Sequence, residues 1–250
     1  MALALVTGST HRLGAHIAAR LGEAGFAVAL HASRPRAAED WLTDRLDRAG
    51  AAHHCFAADL AEDDACDRLV AAAADHFAEP VAMLVNNASM FAAESAGPPD
   101  MATLDAHFRV NTAAPFLLAH AVARGLGEGT GAVVNILDQR IRNPHGDQQA
   151  YTLSKQALAE ATRLLAATLA PRVRVNGVAP GLTLATADYD AAQVVRLKDL
   201  MPLRCLSAPD DVADAVLYFA HARATTGQIL YVDGGAAMTR FDRDFVHLAR

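Results

Sequence analysis

The chain has 250 residues and a formal net charge of -6, with its basic residues scattered rather than grouped, which excludes the electrostatic footprint of a nucleic-acid or anionic-membrane partner. Cys55, Cys66 and Cys205 are an odd set without metal-ligand or redox spacing and fit reduced thiols in the cytoplasm. The strand-like start at Ala2 and the absence of a long apolar run predict a soluble chain without a secretory leader or a membrane-spanning helix.

In chain order, short apolar runs alternate with helical periodicity. Strands are expected at Leu3 to Val6, Ala27 to Leu30, His53 to Ala57, Ala82 to Val85, Val133 to Leu137, Val173 to Val178 and Ile229 to Val232. Helices are expected at residues 13–24, 37–49, 62–78, 100–124, 149–169 and 209–222. This β-α-β-α order predicts one α/β domain over residues 1–250, a doubly wound, Rossmann-type parallel sheet with ligands beyond the carboxyl ends of its strands. Residues 181–207 include Pro202 and lack a strand pattern, so a mobile segment covering the substrate is expected there.

The first strand runs into Thr7-Gly8-Ser9-Thr10-His11-Arg12-Leu13-Gly14 and then a helix, the setting in which glycines let backbone amides approach a pyrophosphate. The second strand ends in His31-Ala32-Ser33-Arg34, without the Asp or Glu that would hold the ribose hydroxyls of NAD. Arg34 can pair with a 2′-phosphate through its planar fork, with Ser33 hydrogen-bonding beside it, so NADPH is expected over NADH.

Tyr151 and Lys155 stand four residues apart, which places a phenol and an ammonium on one helix face. A lysine about 4 Å away, at an effective dielectric of about 20, supplies roughly the 4 kcal/mol needed to bring a tyrosine toward neutral pH. The pair is therefore expected to make an acid.

Taken with Asp59, Asn86-Asn87-Ala88, Asn111, Pro180-Gly181 and Asp233-Gly234-Gly235, these features resemble the short-chain dehydrogenase/reductase superfamily over nearly the whole chain. The resemblance implies that Asp59 contacts the adenine, that Asn87 supports the nucleotide, that Lys155 bonds the nicotinamide ribose and that Asn111 holds a water in a proton relay behind Lys155. It also implies cofactor contacts from Gly8, Leu13, Gly14, His31, Leu60, Ala88, Tyr151, Pro180 and Gly181. Read from the residues alone, Asp59 can equally cap a helix and Asn111 can be a turn residue.

Three positions depart from the general pattern of the superfamily. The middle glycine of the first turn is Arg12, the glycine after Asn87-Ala88 is Ser89, and the serine thirteen residues before the tyrosine is Asp138. An ionised carboxylate at 138 opposes an alkoxide but favours a substrate that carries N–H donors or a nitrogen gaining a proton. It can also simply cap the loop that follows.

The departures resemble the pteridine reductase and dihydromonapterin reductase branch, which shares Thr-Gly-x-x-x-Arg-Leu-Gly and Asn-Ala-Ser-Met-Phe. That resemblance implies a pterin stacked on Phe91, Ser89 and Arg12 bonding the pterin or cofactor phosphates, and a catalytic set of Asp138, Tyr151, Lys155 and Asn111. It places Arg240 in a tail that in this branch approaches a neighbouring subunit's site. The expected reaction is NADPH-dependent reduction of a dihydropterin to a tetrahydropterin. The alternatives are an NADPH carbonyl or oxoacyl reductase, and a sensor that binds NADPH without turnover. The apolar positions on more than one side of the helix from Gln156 to Ala170, with the superfamily resemblance, imply a homotetramer. The histidines, including adjacent His53 and His54, form no closed ligand set, and no metal is expected.

Overall fold

A computed structural model describes residues 1–91, 98–186 and 189–249. Seven parallel strands form one sheet in the order β3-β2-β1-β4-β5-β6-β7, with β1 at Leu3–Val6, β2 at Ala27–Ala32, β3 at His53–Ala57, β4 at Val81–Asn86, β5 at Gly131–Ile136, β6 at Val173–Pro180 and β7 at Ile229–Val232. The chain reverses its direction of travel across the sheet between β1 and β4, where Val6 pairs with Val85, and in a sheet of this kind the ligand crevice lies beyond that switch point.

Side chains alternate across each strand, and the two faces of the sheet therefore bury different sets. On β1, Leu3 and Leu5 join a core with Leu69, Val70, Leu118, Val122 and Leu165, contributed by α3 (Ala65–Phe77), α5 (Ala114–Gly125) and α6 (Gln149–Leu169). Ala4 and Val6 face the opposite core, where α1 (Arg12–Glu23), α2 (Asp40–Arg48) and α8 (Pro209–His221) supply Ile17, Leu21, Leu42, Leu46, Val216 and Phe219. Each such leucine or isoleucine taken fully out of water contributes about 1.5–3 kcal/mol. Covering both faces explains why β1 and β2 are buried along their whole length and read as unbroken apolar runs.

One expectation is corrected, and one further helix is found. The helix expected at 100–124 is broken into α4 (Met101–Phe108), a π-helical turn at Arg109–Ala113, and α5. Pro115 has no N–H to offer the Asn111 carbonyl, so the regular ladder cannot pass this point, and Asn86 Nδ2 fastens the Pro115 carbonyl at 3.3 Å. Within 181–207 the chain forms α7 (Ala191–Leu200), capped by Asp190, which accepts from the Gln193 amide at 2.6 Å. Leu197 and Met201 turn inward from this region to pack with Ala236 and Phe245 of the C-terminal tail. Residues 187 and 188 of the expected covering segment lie outside the described residues.

Candidate active site

The nucleotide end is built from backbone. Gly8 adopts φ +62, and its N–H donates to His31 Nδ1 at 3.0 Å while His31 Nε2 lies 2.9 Å from the Ala58 carbonyl. The two contacts define a neutral imidazole with its proton on Nε2, and burial, partly offset by the Ala58 carbonyl and Asp59, holds its pKa below the usual histidine value. Both ring nitrogens of His31 are thus spent inside the protein, so the ring supports the turn from behind.

Asn87 Nδ2 donates to the Thr7 and Gly8 carbonyls at 2.9 Å each, and Thr7 Oγ1 receives the Asn87 and Ala88 amides at 3.0 and 2.9 Å. These bonds sew the ends of β1 and β4 together across the switch point. A Cβ on Gly14 would lie 2.2 Å from the Gly8 carbonyl oxygen and 2.5 Å from Asn87 Nδ2, so no other residue fits without moving the turn. Arg12 occupies the place of the missing glycine and still takes the left-handed conformation, φ +54, at a cost of about 1–3 kcal/mol.

Around this turn the arginines are open. Ser33, Arg34 and Arg12 are exposed, and no ion pair to Arg12 or Arg34 is found among the described residues. His11 is held below its usual pKa first by burial and then by the positive charge of Arg36, against an opposing effect from Glu39 that exceeds the further lowering by Arg12. Three exposed arginines, Arg12, Arg34 and Arg36, thus stand around this turn and the end of β2, with Glu39 also in electrostatic reach of His11. Asp59 accepts from the Ala61 amide at 3.0 Å, so it does cap the turn before α3, with its side chain still exposed; Leu60 is buried beneath.

The other end of the crevice is made of side chains. Asp138, just after β5, accepts the Tyr151 hydroxyl on Oδ2 at 3.0 Å. Its Oδ1 accepts the Arg140 amide at 2.9 Å and lies 3.3 Å from Arg140 Nε. Asp138 is an acceptor in each of these contacts, as a carboxylate must be, and it both caps the Gln139–Ile141 turn and holds the phenol.

Tyr151 and Lys155 lie in the first turns of α6 and are both buried. The expectation that Lys155 acidifies Tyr151 is corrected by their surroundings. Lys155 Nζ donates to the Ile136 carbonyl at 2.9 Å and lies 5.8 Å from the tyrosine ring centroid. Burial and then the Asp138 charge push the Tyr151 phenol well above its usual value, with Arg140 opposing. Burial also lowers Lys155 to about 8, against a raising effect from Asp138.

Asn111 lies in the π-helical turn and points into the fold. Its amide donates to the Met90 carbonyl at 2.9 Å and to Ser154 Oγ at 3.0 Å, and its oxygen accepts from the Met90 amide at 2.7 Å and Ser89 Oγ at 3.2 Å. The π-turn thus fixes the loop that carries Ser89 and Phe91. Phe91 is 56% exposed, which removes it from the core, and its ring meets Tyr151 edge-on at 4.8 Å.

A family model described as enoyl-(acyl carrier protein) reductase matches residues 8–237. The chain belongs to the short-chain dehydrogenase/reductase superfamily. It is similar to the alternative dihydrofolate reductase 1 of Brucella canis, a structure determined with NADP, at 36% identity and a TM-score of 0.86 over 98% of each chain. It is also 30% identical over 234 residues to dihydromonapterin reductase of Klebsiella pneumoniae, covering 92% of this chain and 95% of the relative. A Streptomyces violaceoruber protein of the granaticin polyketide synthase, named as a ketoacyl reductase, is 34% identical over 242 residues, covering 94% and 95% of the two chains.

Within this superfamily member, Pro180 ends β6 beside Val232 of β7, and Gly181 follows it with its N–H on the Val232 carbonyl. A Cβ on Gly181 would lie 2.9 Å from Asp233 Cα, while the Asp233 carboxylate accepts the Gly235 and Ala237 amides at 2.9 and 2.7 Å. Arg240 is exposed and lies 4.0 Å from Asp242. Residues absent from the expectations are Thr7, Ser154 and Arg140. Thr7 and Ser154 stand beside motif residues and are legible from them. Arg140 pairs with Asp244, 104 residues away, and no local pattern marks it.

Among the described residues no group of three or more His, Cys, Asp or Glu is arranged to hold a metal, and no helix is long and apolar enough to cross a membrane.

Proposed function

We propose that this short-chain oxidoreductase uses NADPH to reduce a pterin, adding hydride to a ring carbon and a proton to the adjacent ring nitrogen, as in conversion of a dihydropterin to a tetrahydropterin. The observation that carries the reading is the Asp138 carboxylate in hydrogen-bond contact with Tyr151, beside the exposed face of Phe91. The similarity to a dihydrofolate reductase and a dihydromonapterin reductase supports it.

The residues at the nucleotide end fit NADPH. The turn from Gly8 to Gly14 presents backbone at the start of α1, which favours a pyrophosphate, and the exposed guanidinium of Arg34, in no ion pair among the described residues, follows β2 where an acidic residue would repel a 2′-phosphate. Ser33, Arg12, Asp59, Leu13, Leu60, Asn87, Ala88, Ser89, Pro180 and Gly181 complete the proposed nucleotide contacts. When bound, NADPH supplies the hydride.

The chain's own groups do the rest. Phe91 offers a flat face against which an aromatic ring can stack. Asp138 is partly open to the crevice and can accept N–H bonds from the ring. Tyr151 keeps its proton at neutral pH and can hand it to ring nitrogen. Lys155, mostly protonated below about 8, can bond the ribose and return positive charge as the phenol gives up its proton. Asn111 is assigned a place in the relay that refills the proton.

Reduction of a ketone or oxoacyl thioester is the second reading, favoured by the resemblance to the granaticin protein. It would develop negative charge on oxygen next to Asp138, which costs rather than gains stabilisation. The test is NADPH oxidation with dihydromonapterin, dihydrobiopterin and dihydrofolate beside a ketone and an oxoacyl thioester. Pterin turnover is expected; turnover of only the carbonyl compounds overturns the reading, and turnover of none returns it to a non-catalytic NADPH sensor. For assembly we propose a homotetramer through α5 and α6, where Leu117, Leu153 and Leu164 lie exposed.

A further inference from the structure

Arg140 is a permanently charged group in a place where arginine is rarely found, buried between β5 and α6. Its Nη2 donates to Asp244 Oδ2 at 2.7 Å and its Nη1 to Gln148 Oε1 at 3.0 Å, while Nε and the backbone N–H both face Asp138 Oδ1. The guanidinium carbon also stands 5.8 Å from the Phe91 ring centroid and 5.2 Å from that of Tyr151. Asp244 is fixed in turn, because its amide donates to Asp147 Oδ2 at 2.8 Å and Arg243 clasps the same carboxylate. The next residues of the tail are held by α7, where Gln193 Nε2 donates to the Val246 and Leu248 carbonyls at 3.0 and 2.8 Å.

Packing alone does not require this arrangement. Removing a guanidinium and two carboxylates from water is costly, and apolar residues of the same volume commonly fill such a space as well or better. An apolar residue at 140 would still offer its backbone amide to Asp138 Oδ1, but it could not add the second, charged contact that Nε makes to the same oxygen at 3.3 Å. A carboxylate rotates about its terminal bond, and the residue-140 amide on Oδ1 alone leaves that rotation open, whereas the amide and the charged Nε together hold Oδ2 in line with the Tyr151 hydroxyl.

We infer that Arg140 is a positioning residue for the reaction, engaging Asp138 Oδ1 so that Oδ2 stays aimed at Tyr151 and the substrate, and that Asp244 of the C-terminal tail fixes Arg140 for this task. The inference rests on the role given to Asp138 under the proposed function. The coupling it requires among Arg140, Asp138 and Asp244 holds for any substrate the protein turns over. The other titratable groups around the guanidinium are Tyr151, His145 and Asp147, and they stay unchanged in the variants below.

The test is a double-mutant cycle on the full chain, pairing Arg140→Leu, Arg140→Lys and Asp244→Asn each with Asp138→Asn. NADPH affinity is followed by fluorescence and kcat with whichever of the dihydropterin, ketone and thioester the wild type reduces. Arg140→Leu is expected to lower kcat about 30-fold, Arg140→Lys and Asp244→Asn each about fivefold, with NADPH Kd within about twofold. In the Asp138→Asn background all three losses should shrink below about twofold. Equal losses in both backgrounds, or a parallel fall in NADPH affinity, would overturn the proposal. Arg140→Lys and Asp244→Asn carry the cycle if Arg140→Leu does not fold. A crystal structure of Asp244→Asn gives an activity-independent arm: the Asp138 to Tyr151 contact should lengthen by more than about 0.5 Å, and an unchanged contact would also overturn the proposal. Absence of pterin turnover in the wild type counts against the pterin reading alone.

Discussion

The two ends of the crevice solve the same problem, holding polar groups in fixed directions, by different means. At the nucleotide end the directing groups are backbone amides and carbonyls, set by Gly8, Arg12 and Gly14 and sewn in place by Asn87 and Thr7. At the substrate end they are side chains, Asp138, Tyr151, Lys155 and Arg140, set by one another and by the tail. A backbone-built site tolerates changes in exposed side chains and fails when Cβ atoms are added, whereas a side-chain network fails one member at a time.

The largest expected effect falls on the network. Tyr151→Phe should lower kcat by about 10²–10⁴-fold while leaving NADPH affinity within about threefold, read by fluorescence titration. A comparable loss of affinity would move Tyr151 to the nucleotide end. Gly14→Ala should do the reverse. The Cβ would collide with the Gly8 carbonyl, destabilising the fold by about 1–3 kcal/mol in denaturant unfolding and weakening NADPH before it affects chemistry. An alanine variant with wild-type stability and affinity would show that the turn is looser than its contacts indicate.

The pH profile separates the two buried titrating groups of α6. With Tyr151 held well above its usual value and Lys155 lowered to about 8, protonated lysine is lost first as pH rises, so kcat/KM should fall about tenfold per pH unit above about 8. A flat profile through pH 9 would return the charge-bearing role to another group. The smallest effect is expected at the open rim, where Arg34→Ala should cut the preference for NADPH over NADH about tenfold without changing kcat. Equal affinity of the wild type for both cofactors would remove Arg34 from that role.

The same contrast explains what the sequence reveals. Strands β1, β2 and β4 are legible because burial on both faces leaves nearly continuous apolar runs, whereas β3, with His53 and His54 and no fully buried residue, is legible mainly from its place in the β-α alternation. The Gly8 to Gly14 turn is legible because backbone geometry dictates residue type at fixed spacing. The break in the helix at Arg109–Ala113 shows only as Pro115 within an otherwise periodic pattern, and α7 only as Asp190 ahead of Val194, Leu197 and Met201. Asp138 stands out as a departure from a pattern. Arg140 does not, because its meaning comes from Asp244 across the fold, and the high pKa of Tyr151 comes from burial that the Tyr-x-x-x-Lys spacing leaves undefined.

The central claim is that Asp138 directs the site to a ring nitrogen and away from a carbonyl oxygen. Its most direct test is the ratio of kcat/KM for a dihydropterin to that for a ketone, measured by NADPH oxidation in the wild type and in Asp138→Ser. The ratio should fall about 100-fold in the variant, about 2.7 kcal/mol of differential transition-state stabilisation, mainly through loss of pterin turnover. An unchanged ratio, or a variant that reduces the pterin as well as the wild type does, would contradict the account.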